Sequence, residues 1–216
     1  CSAVIMDYLS RLAVGSPLGA HLHEHTGSTN RILRCQCGAE RCREEAFRDL
    51  QLDVRDSSTG SPIGSVDRAL AAYCATEIIE GVSCETCGEQ RDHDKLLRFS
   101  QLPLYLPLVL KRFEMNWNTG QRMKISDWMS VPPRLDLASL VQLAGGEQTG
   151  ETVYHLKSVL MHTGGAYGGH YFCYQQTAGE GSPWCKFNDA SVTELTEDEI
   201  AAAFSRVEPE PSPDQV

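Results

Sequence analysis

The sequence predicts an α+β fold, because strand-like and helix-like segments both occur along its 216 residues. Strands are indicated by short apolar runs such as Phe172-Cys173-Tyr174, which are bounded by clusters of turn-forming Gly, Ser and Pro. Helices are indicated where apolar side chains recur every three or four positions, as they do in residues 2–12. A chain of this length can bury one sizeable core or two modest ones.

Three segments are predicted to be helical. Residues 2–12 and residues 67–80 both place apolar side chains at helical spacing. Thr196 is predicted to be the N-cap of a third, short helix that runs to Phe204. The acidic run Glu197-Asp198-Glu199 supports this start, because negative side chains stabilise the positive end of a helix dipole.

Other segments are predicted to be strands. Residues 46–54 alternate between apolar and polar side chains, as a half-buried strand does. Residues 104–113 are almost continuously apolar, which is typical of a central strand covered on both faces, although Pro107 cannot donate a ladder hydrogen bond. Residues 153–161 are predicted to form a further core strand.

A histidine and an Asn-Asp pair are predicted to converge. His170 precedes the apolar run at residues 172–174, and Asn188-Asp189 follows the apolar-flanked run at residues 184–187. In two strands joined by a loop, the start of the first lies beside the end of the second. An imidazole oriented by an amide or a carboxylate forms two thirds of a cysteine-protease triad. The alternative, non-catalytic interpretation is a solvent-facing histidine next to an ordinary hairpin turn.

The approach to the histidine is rich in glycine, which allows positive φ angles and close contact with another chain. The four residues concerned are Gly164, Gly165, Gly168 and Gly169. An ordinary glycine-rich turn would explain them equally well, but it would not explain the convergence of His170 with Asn188.

Two cysteine pairs are predicted to bind zinc. They are Cys35-Gln36-Cys37-Gly38 and Cys84-Glu85-Thr86-Cys87-Gly88. Thiolate pairs followed by glycine suit tetrahedral zinc, because the tight turn directs both sulfurs to one point. The first pair is one residue shorter than a CxxC pair. Three hypotheses therefore stay open: Cys35 binds through an altered turn, Cys42 replaces it, or the thiols are reduced and metal-free.

Composition restricts the classes of partner and location. The net charge of −10 argues against general electrostatic binding of nucleic acid. The sequence has an odd number of cysteines, no signal peptide and no long apolar run, which favours a cytoplasmic or nuclear protein and disfavours a membrane protein. A basic partner would suit such an acidic chain.

Several motifs together resemble the ubiquitin-specific peptidases, which are papain-like deubiquitinating enzymes. The histidine region resembles that family's histidine box through the motifs Val159-Leu160-Met161-His162-Thr163-Gly164, Gly168-Gly169-His170-Tyr171 and Trp184-Cys185-Lys186-Phe187-Asn188-Asp189. An upstream segment is similar to the family's LKRF strand through Leu102-Pro103, Lys111-Arg112-Phe113, Lys124-Ile125-Ser126-Asp127 and Pro132-Pro133. The resemblance extends over about residues 1–204.

The resemblance implies an architecture of fingers, palm and thumb. Residues 1–16 would be the end of the thumb, and residues 17–101 would form the antiparallel-sheet fingers with the zinc site. Residues 102–204 would form the palm with the histidine box. Residues 205–216, rich in Pro, Glu and Asp, are predicted to be a disordered tail.

The resemblance also implies an activity: thiol-dependent hydrolysis of the isopeptide bond at the C-terminal glycine of ubiquitin. In that reaction His170 is expected to be the general base, Asn188 to orient it, and Asp189 to be a second polar group near the site. Gly168, Gly169 and Tyr171 are expected to form a wall of the cleft that binds the ubiquitin tail. Ubiquitin and ubiquitinated proteins are the implied partners, and structural zinc, bound by the four cysteines, is the implied cofactor.

The family's nucleophile is not found in this sequence. Its Cys box, N-x-G-x-T-C-Y-x-N, does not occur, and Cys1-Ser2-Ala3-Val4 does not match it. We therefore expect this chain to be a fragment that lacks the nucleophile and is inactive by itself. The alternative is a non-catalytic pseudopeptidase that binds ubiquitin, and a Cys box upstream of Cys1 would distinguish the two.

Overall fold

A computed structural model describes residues 25–141, 152–177 and 182–204. The predicted helix at residues 2–12, with Cys1 beside it, and the predicted tail at residues 205–216 lie outside these ranges. Strands predominate over helices in the described residues, and the predicted mixture of both is confirmed. Neither described α-helix has the length and apolar character needed to cross a bilayer.

The described elements comprise fourteen strands, two α-helices and one 3₁₀ turn. The first seven strands are β1 (Gly27–Cys35), β2 (Glu40–Phe47), β3 (Leu50–Asp53), β4 (Glu77–Ser83), β5 (Gln90–Gln101), β6 (Leu108–Lys111) and β7 (Phe113–Asn116). The others are β8 (Gln121–Lys124), β9 (Arg134–Asp136), β10 (Val153–His155), β11 (Ser158–Gly164), β12 (Gly169–Gln176), β13 (Trp184–Asn188) and β14 (Ser191–Glu194). The helices are α1 (Val66–Tyr73) and α2 (Glu197–Phe204), and the 3₁₀ turn is Ala138–Leu140.

The chain divides into two compact units, each assembled from separate stretches of sequence. Of the described residues, the first unit contains 25–53, 68–110, 136–141 and 152–154. The second unit contains 54–67, 111–135, 155–177 and 182–204. The division into fingers at residues 17–101 and palm at residues 102–204 stays a prediction.

The first unit is organised by a four-stranded antiparallel sheet in the order β2-β1-β5-β4. Strand β1 pairs with β2 so that Arg34 lies opposite Glu40, and it pairs with β5 so that Cys35 lies opposite His93. The largest fully buried side chains of this unit are Leu50, Leu52, Leu70, Phe99 and Leu137. The sheet brings its two cysteine-bearing turns, β1–β2 and β4–β5, to the same end.

The second unit is organised by a four-stranded antiparallel sheet in the order β11-β12-β13-β14. Helix α2 packs on it through the buried Phe204, whose ring contacts Tyr174 and Trp184 with centroids 5.7 and 5.1 Å apart. The predicted N-cap is confirmed: the Glu199 backbone N–H donates to Thr196 Oγ1 at 3.3 Å. The Glu199 carboxylate accepts from the Thr196 backbone N–H at 2.9 Å, which completes a capping box.

Four predicted elements have wrong bounds. The helix predicted over residues 67–80 ends at Tyr73, and β4 follows it. The β-branched residues Ile78, Ile79 and Val82 favour that strand, which pairs with β5. The strand predicted over residues 46–54 is interrupted between Phe47 and Leu50.

The two other corrections are in longer apolar segments. The strand predicted over residues 104–113 begins only at Leu108, after Pro107, because proline cannot donate a ladder hydrogen bond. It is also interrupted at Arg112, whose guanidinium donates to the backbone carbonyls of Ile125 and Asp127. The strand predicted over residues 153–161 is two strands, β10 and β11.

Candidate functional site

The register between β12 and β13 brings His170 to Asn188. Cys173 pairs with Phe187, and continuing this register by one residue sets Asn188 opposite Phe172. His170 is two residues before Phe172 on β12, so its side chain points to the same face as that of Asn188. His170 Nε2 lies 2.5 Å from Asn188 Oδ1, and it lies 3.7 Å from Asp189 Oδ2. The structure therefore brings together the three residues predicted to be catalytic.

The hydrogen bond to Asn188 determines the tautomer of the imidazole. An amide oxygen can only accept a hydrogen bond, so His170 Nε2 carries the hydrogen and donates it. In the neutral ring the lone pair is then on Nδ1, which is the atom able to accept a proton. The side chain of His170 is 47% exposed, so a reacting group could reach the ring.

Asp189 begins the two-residue turn that joins β13 to β14. Its φ angle is 50°, and it is the only residue other than glycine with positive φ in the described parts of the chain. Aspartate tolerates this region better than most residues do, although it is strained relative to glycine. The side chain is 81% exposed. The turn ends β13 at Asn188 and thereby holds the amide at the end of this inner strand.

The predicted glycine-rich wall is the hairpin loop between β11 and β12. Gly164 pairs with Gly169 across its base, and Gly165 N–H donates to Gly168 C=O at 3.0 Å. A Cβ on Gly169 would collide with the Thr163 carbonyl and with the ring of His162. Gly168, in contrast, has open space around it. Glycine is thus structurally required at residue 169, and residue 168 is free to face a ligand.

Tyr171 lies on the next exposed position of β12. Its ring is tilted against the ring of His162, with centroids 4.6 Å apart, and 56% of the residue is exposed. His162 also contacts Phe113, and its Nδ1 is buried without a hydrogen-bond partner. Gly168, Gly169 and Tyr171 therefore flank His170 along the chain, and their role in binding stays a prediction.

Sequence reasoning missed the residues that support this loop from the hairpin β7–β8. Lys124 Nζ donates to the carbonyls of His162 and Gly164, at 2.8 and 3.0 Å. The backbone N–H of Arg122 donates to Tyr167 Oη at 3.0 Å. Lys124 stands inside a motif that carries the family resemblance, but no spacing rule links a lysine to carbonyls about forty residues away.

The second candidate site contains the four cysteines predicted to bind metal. The sulfurs of Cys35, Cys37, Cys84 and Cys87 all lie within 4.8 Å of one another. Cys37 Sγ and Cys84 Sγ are 3.7 Å apart. Four sulfurs placed tetrahedrally at about 2.3 Å from zinc are roughly 3.8 Å apart, so this donor set fits zinc. Cys42 lies on β2 opposite Ile32 and is not in the cluster.

The altered turn of the first pair compensates for its shorter spacing. In the β1–β2 turn Cys35 N–H donates to Ala39 C=O, whereas in the β4–β5 turn Cys84 N–H donates to Glu89 C=O. The first turn thus closes after four residues and the second after five. Both turns have a glycine at positive φ, Gly38 at 90° and Gly88 at 73°. A CxC pair in the shorter turn therefore reaches the same point as a CxxC pair in the longer one.

Backbone donors favour the thiolate form of one cysteine. The N–H groups of Cys87 and Thr86 lower the pKa of Cys84 to about 6. In Cys35 the N–H of Cys37 also lowers the pKa, but burial and the neighbouring thiols outweigh it and raise the pKa to about 12. Four thiolates so close together would repel one another, so the fully deprotonated cluster requires a cation.

Comparison with known proteins identifies the family. A family model described as ubiquitin carboxyl-terminal hydrolase matches residues 29–210. Ubiquitin carboxyl-terminal hydrolase 47 of Homo sapiens is 28% identical over 234 residues, which covers 82% of this chain and 17% of that protein. Ubiquitin carboxyl-terminal hydrolase 9X of Mus musculus is 31% identical over 185 residues, which covers 72% of this chain and 7% of that protein.

Solved structures share the fold. A chain of the SAGA DUB module that contains Ubp8, bound to ubiquitin aldehyde, matches with a TM-score of 0.75 at 24% identity. That match covers 92% of this chain and 45% of the other. A chain of the same module bound to monoubiquitin matches with a TM-score of 0.76 at 23% identity, covering 92% and 44%.

These matches confirm the predicted α+β fold of the ubiquitin-specific peptidase catalytic domain. The chain spans about a sixth of the length of the hydrolase 47 relatives and under half of the matched structural chains. The family model extends over both the cysteine turns and the histidine box. The chain therefore belongs to the ubiquitin carboxyl-terminal hydrolase family, and the sequence's resemblance to its ubiquitin-specific peptidases is confirmed.

Proposed function

We propose that this chain forms the part of a deubiquitinase that supplies the general base and a wall of the ubiquitin-tail cleft. The reaction is thiol-dependent hydrolysis of the peptide or isopeptide bond at the C-terminal glycine of ubiquitin. The observation that carries the proposal is the hydrogen bond between His170 and Asn188, at the mouth of the glycine loop. Membership of a ubiquitin carboxyl-terminal hydrolase family supports it.

His170 performs the proton transfers. Its Nδ1 accepts the proton of the nucleophilic thiol, and the thiolate attacks the carbonyl of the terminal glycine. The imidazolium then donates that proton to the leaving amine as the carbon–nitrogen bond breaks and an acyl thioester remains. In the second half, Nδ1 accepts a proton from water as the hydroxide attacks the thioester carbonyl, the carbon–sulfur bond breaks, and the leaving thiolate takes that proton back from the imidazolium. The nucleophilic cysteine is proposed to lie outside these 216 residues.

Asn188 holds the ring in the orientation that this transfer requires. Its Oδ1 accepts the Nε2 hydrogen, which keeps the lone pair on Nδ1. The carboxylate of Asp189, 3.7 Å from Nε2, adds negative charge that stabilises the imidazolium formed during the reaction. Asp189 is therefore proposed to assist Asn188 rather than to replace it.

The glycine loop and Tyr171 are proposed to bind the tail of ubiquitin. The space around Gly168 leaves room for an extended peptide, and a tail without side chains, such as Gly-Gly, could lie close to this loop. The exposed ring of Tyr171 offers an apolar contact beside it. The similar DUB modules whose structures contain ubiquitin or ubiquitin aldehyde support ubiquitin as a partner, and ubiquitinated proteins are proposed as the substrates.

Zinc is proposed to have a structural role. Cys35, Cys37, Cys84 and Cys87 would hold it, and it would supply folding free energy to the end of the β2-β1-β5-β4 sheet. The altered first turn, which closes one residue earlier than the second, supports Cys35 rather than Cys42 as the fourth ligand. No step of the hydrolysis passes through this metal.

The test compares the full-length protein, its His170→Gln variant and the isolated 216-residue chain on a fluorogenic ubiquitin C-terminal amide. We expect turnover only by the full-length wild type. Turnover by the isolated chain that a Cys1→Ala substitution abolishes would contradict the proposed position of the nucleophile. A full-length protein that binds ubiquitin without turnover would instead be a ubiquitin-binding pseudopeptidase.

A further inference from the structure

Lys124 makes an unusual pair of contacts at the start of the glycine loop. Its ammonium group donates to two backbone carbonyls of one strand, those of His162 at 2.8 Å and Gly164 at 3.0 Å. Both bonds are charge-assisted, and such hydrogen bonds are about twice as strong as neutral ones. The lysine comes from β8, the second strand of the hairpin β7–β8, and thus from a separate sheet.

The carbonyls that Lys124 binds face away from β12. Gln176 N–H donates to Lys157 C=O, and Gly165 N–H donates to Gly168 C=O. The backbone groups of the odd-numbered residues between 157 and 165 therefore form their hydrogen bonds with β12. Because successive backbone groups of a strand point to opposite sides, the carbonyls of His162 and Gly164 point to the other edge. Of the described strands in this sheet, β11 is an end strand. Lys124 therefore supplies the donors that a neighbouring strand would otherwise supply.

The residue between the two bound carbonyls is the register partner of the histidine. Thr163 pairs with His170, and Thr163 Oγ1 lies 3.4 Å from His170 C=O. Gly169, which precedes His170, lies directly over the ring of His162. Movement of β11 at residues 162–164 would therefore move the backbone from which the His170 side chain extends.

A second hydrogen bond from β8 holds the tip of the same loop. Tyr167 Oη accepts the backbone N–H of Arg122, which is two residues before Lys124 on β8. The base and the tip of the glycine loop are thus both held by one strand. Glycine-rich segments lose more conformational freedom on ordering than other segments do. Hydrogen bonds from outside the loop therefore strongly increase the population of one loop conformation.

We propose that Lys124 is a positioning residue: its ammonium group holds the β11 edge and so keeps His170 within hydrogen-bonding distance of Asn188. The effect on the tautomer of His170 follows from geometry alone. The effect on turnover rests on the proposed function. Lys124 contacts carbonyls that support the site and donates no hydrogen bond to His170 itself.

The first experiment uses the 216-residue chain labelled with ¹⁵N-histidine and records the imidazole nitrogen shifts, with His170→Gln identifying the resonance. Wild type is expected to show an Nε2–H tautomer at neutral pH. Lys124→Met should shift the His170 signals toward a mixture of tautomers and raise amide exchange in residues 164–170 about tenfold, because two charge-assisted bonds are lost. Lys124→Arg, which retains the charge and the donors, should restore most of both signals.

The control is Lys157→Met, at the opposite end of the same hairpin. Lys157 Nζ donates to the side chain of Gln176 at 3.1 Å and holds no carbonyl of the loop, so both readouts should stay at wild-type values. If Lys124→Met fails to fold, Lys124→Gln, which keeps one donor group, replaces it and should show a smaller change of the same sign. Unchanged His170 shifts and loop exchange in a folded Lys124 variant would overturn the inference.

The second experiment measures turnover in the full-length protein. Lys124→Met is expected to lower kcat about tenfold or more with a smaller change in KM, since misplacing a proton-transfer group chiefly affects the chemical step. Lys124→Arg is expected to recover most of kcat. A wild type without turnover would contradict the proposed function and leave the nuclear magnetic resonance result standing. Normal kcat in Lys124→Met, with wild-type activity present, would contradict the inference alone.

Discussion

The cysteine cluster and the histidine site are assembled by different means. In the cluster, two local turns each contribute two sulfurs, and the sheet needs only to place those turns at one end. In the histidine site, His170 and Asn188 come from different strands, and a lysine nearly forty residues upstream supports the loop. Local motifs thus account for most of the cysteine cluster, whereas the pair of His170 and Asn188 also has support from contacts that no motif reveals.

The largest expected effect is on the histidine site. In the full-length protein His170→Ala should reduce kcat by roughly 10³-fold or more, because it removes the group proposed to accept the thiol proton. Asn188→Ala should cost less, since packing and Asp189 can orient the ring in part. Steady-state kinetics on a ubiquitin C-terminal amide measure both. Near-wild-type rates for both variants would remove the triad assignment.

The next largest effect concerns the cysteine cluster. About one zinc per chain should co-purify, and chelation should raise hydrogen exchange in residues 30–95, because a four-thiolate site supplies folding free energy directly. Exchange in residues 158–176 should stay unchanged. Elemental analysis and exchange mass spectrometry measure these outcomes. Metal-free protein with a fully protected β2-β1-β5-β4 sheet would show that packing alone stabilises this region.

Single substitutions sharpen the assignment of ligands. Cys35→Ser and Cys87→Ser should each abolish stoichiometric zinc, since both sulfurs lie in the cluster. Cys42→Ser should retain zinc, because Cys42 pairs with Ile32 of β1 and lies outside the cluster. Zinc that persists in Cys35→Ser but is lost when Cys42→Ser is added would restore the hypothesis that Cys42 is a substitute ligand.

A pair of glycine substitutions tests the loop. Gly169→Ala should destabilise the hairpin by about 1–3 kcal/mol, since its Cβ would meet the Thr163 carbonyl and the ring of His162. Gly168→Ala has open space and should change stability by less than about 0.5 kcal/mol, while raising KM if residue 168 contacts the ubiquitin tail. Urea denaturation and steady-state kinetics provide the measurements. Equal stability of the two variants would contradict the close packing under Gly169.

The smallest effect concerns α2 and acid pH. Thr196→Ala should cost about 0.5–2 kcal/mol through the lost N-cap, measured by urea denaturation. The backbone N–H of Thr196, and then its hydroxyl, lower the pKa of Glu199. A carboxyl whose folded pKa lies below its unfolded pKa contributes stability above the unfolded pKa, and this is lost as pH falls through the folded pKa. Glu199→Gln, which removes the ionisable carboxyl, should therefore flatten the decline of stability below about pH 4.5, whereas Thr196→Ala retains the backbone N–H that is the larger cause. If stability still declined equally at acid pH, the capping box would not be the source of that decline.

Some expectations could be drawn from local residues alone because local chemistry produces them. The capping box at Thr196 and the two glycine-ended cysteine turns each depend on a few consecutive residues. The convergence of His170 with Asn188 was also predictable, because in an antiparallel hairpin the start of the first strand lies beside the end of the second. The boundary of α1 was not, because Ile78 continues the helical spacing seen in residues 67–80, whereas residues 77–83 form an edge strand that pairs with β5.

The family, the catalytic and metal-binding candidates and several of the strand segments could be predicted from the sequence alone. Each depends on residue types at short fixed spacing. Three features could be seen only in the folded structure. Lys124 holds the β11 edge, and His162 packs beneath Gly169. The shorter cysteine turn also reaches the cluster. The reason is the separation along the chain between the residues that interact. Hydrogen bonds between residues about forty positions apart depend on how two hairpins dock, and neither periodicity nor spacing along the chain records that docking.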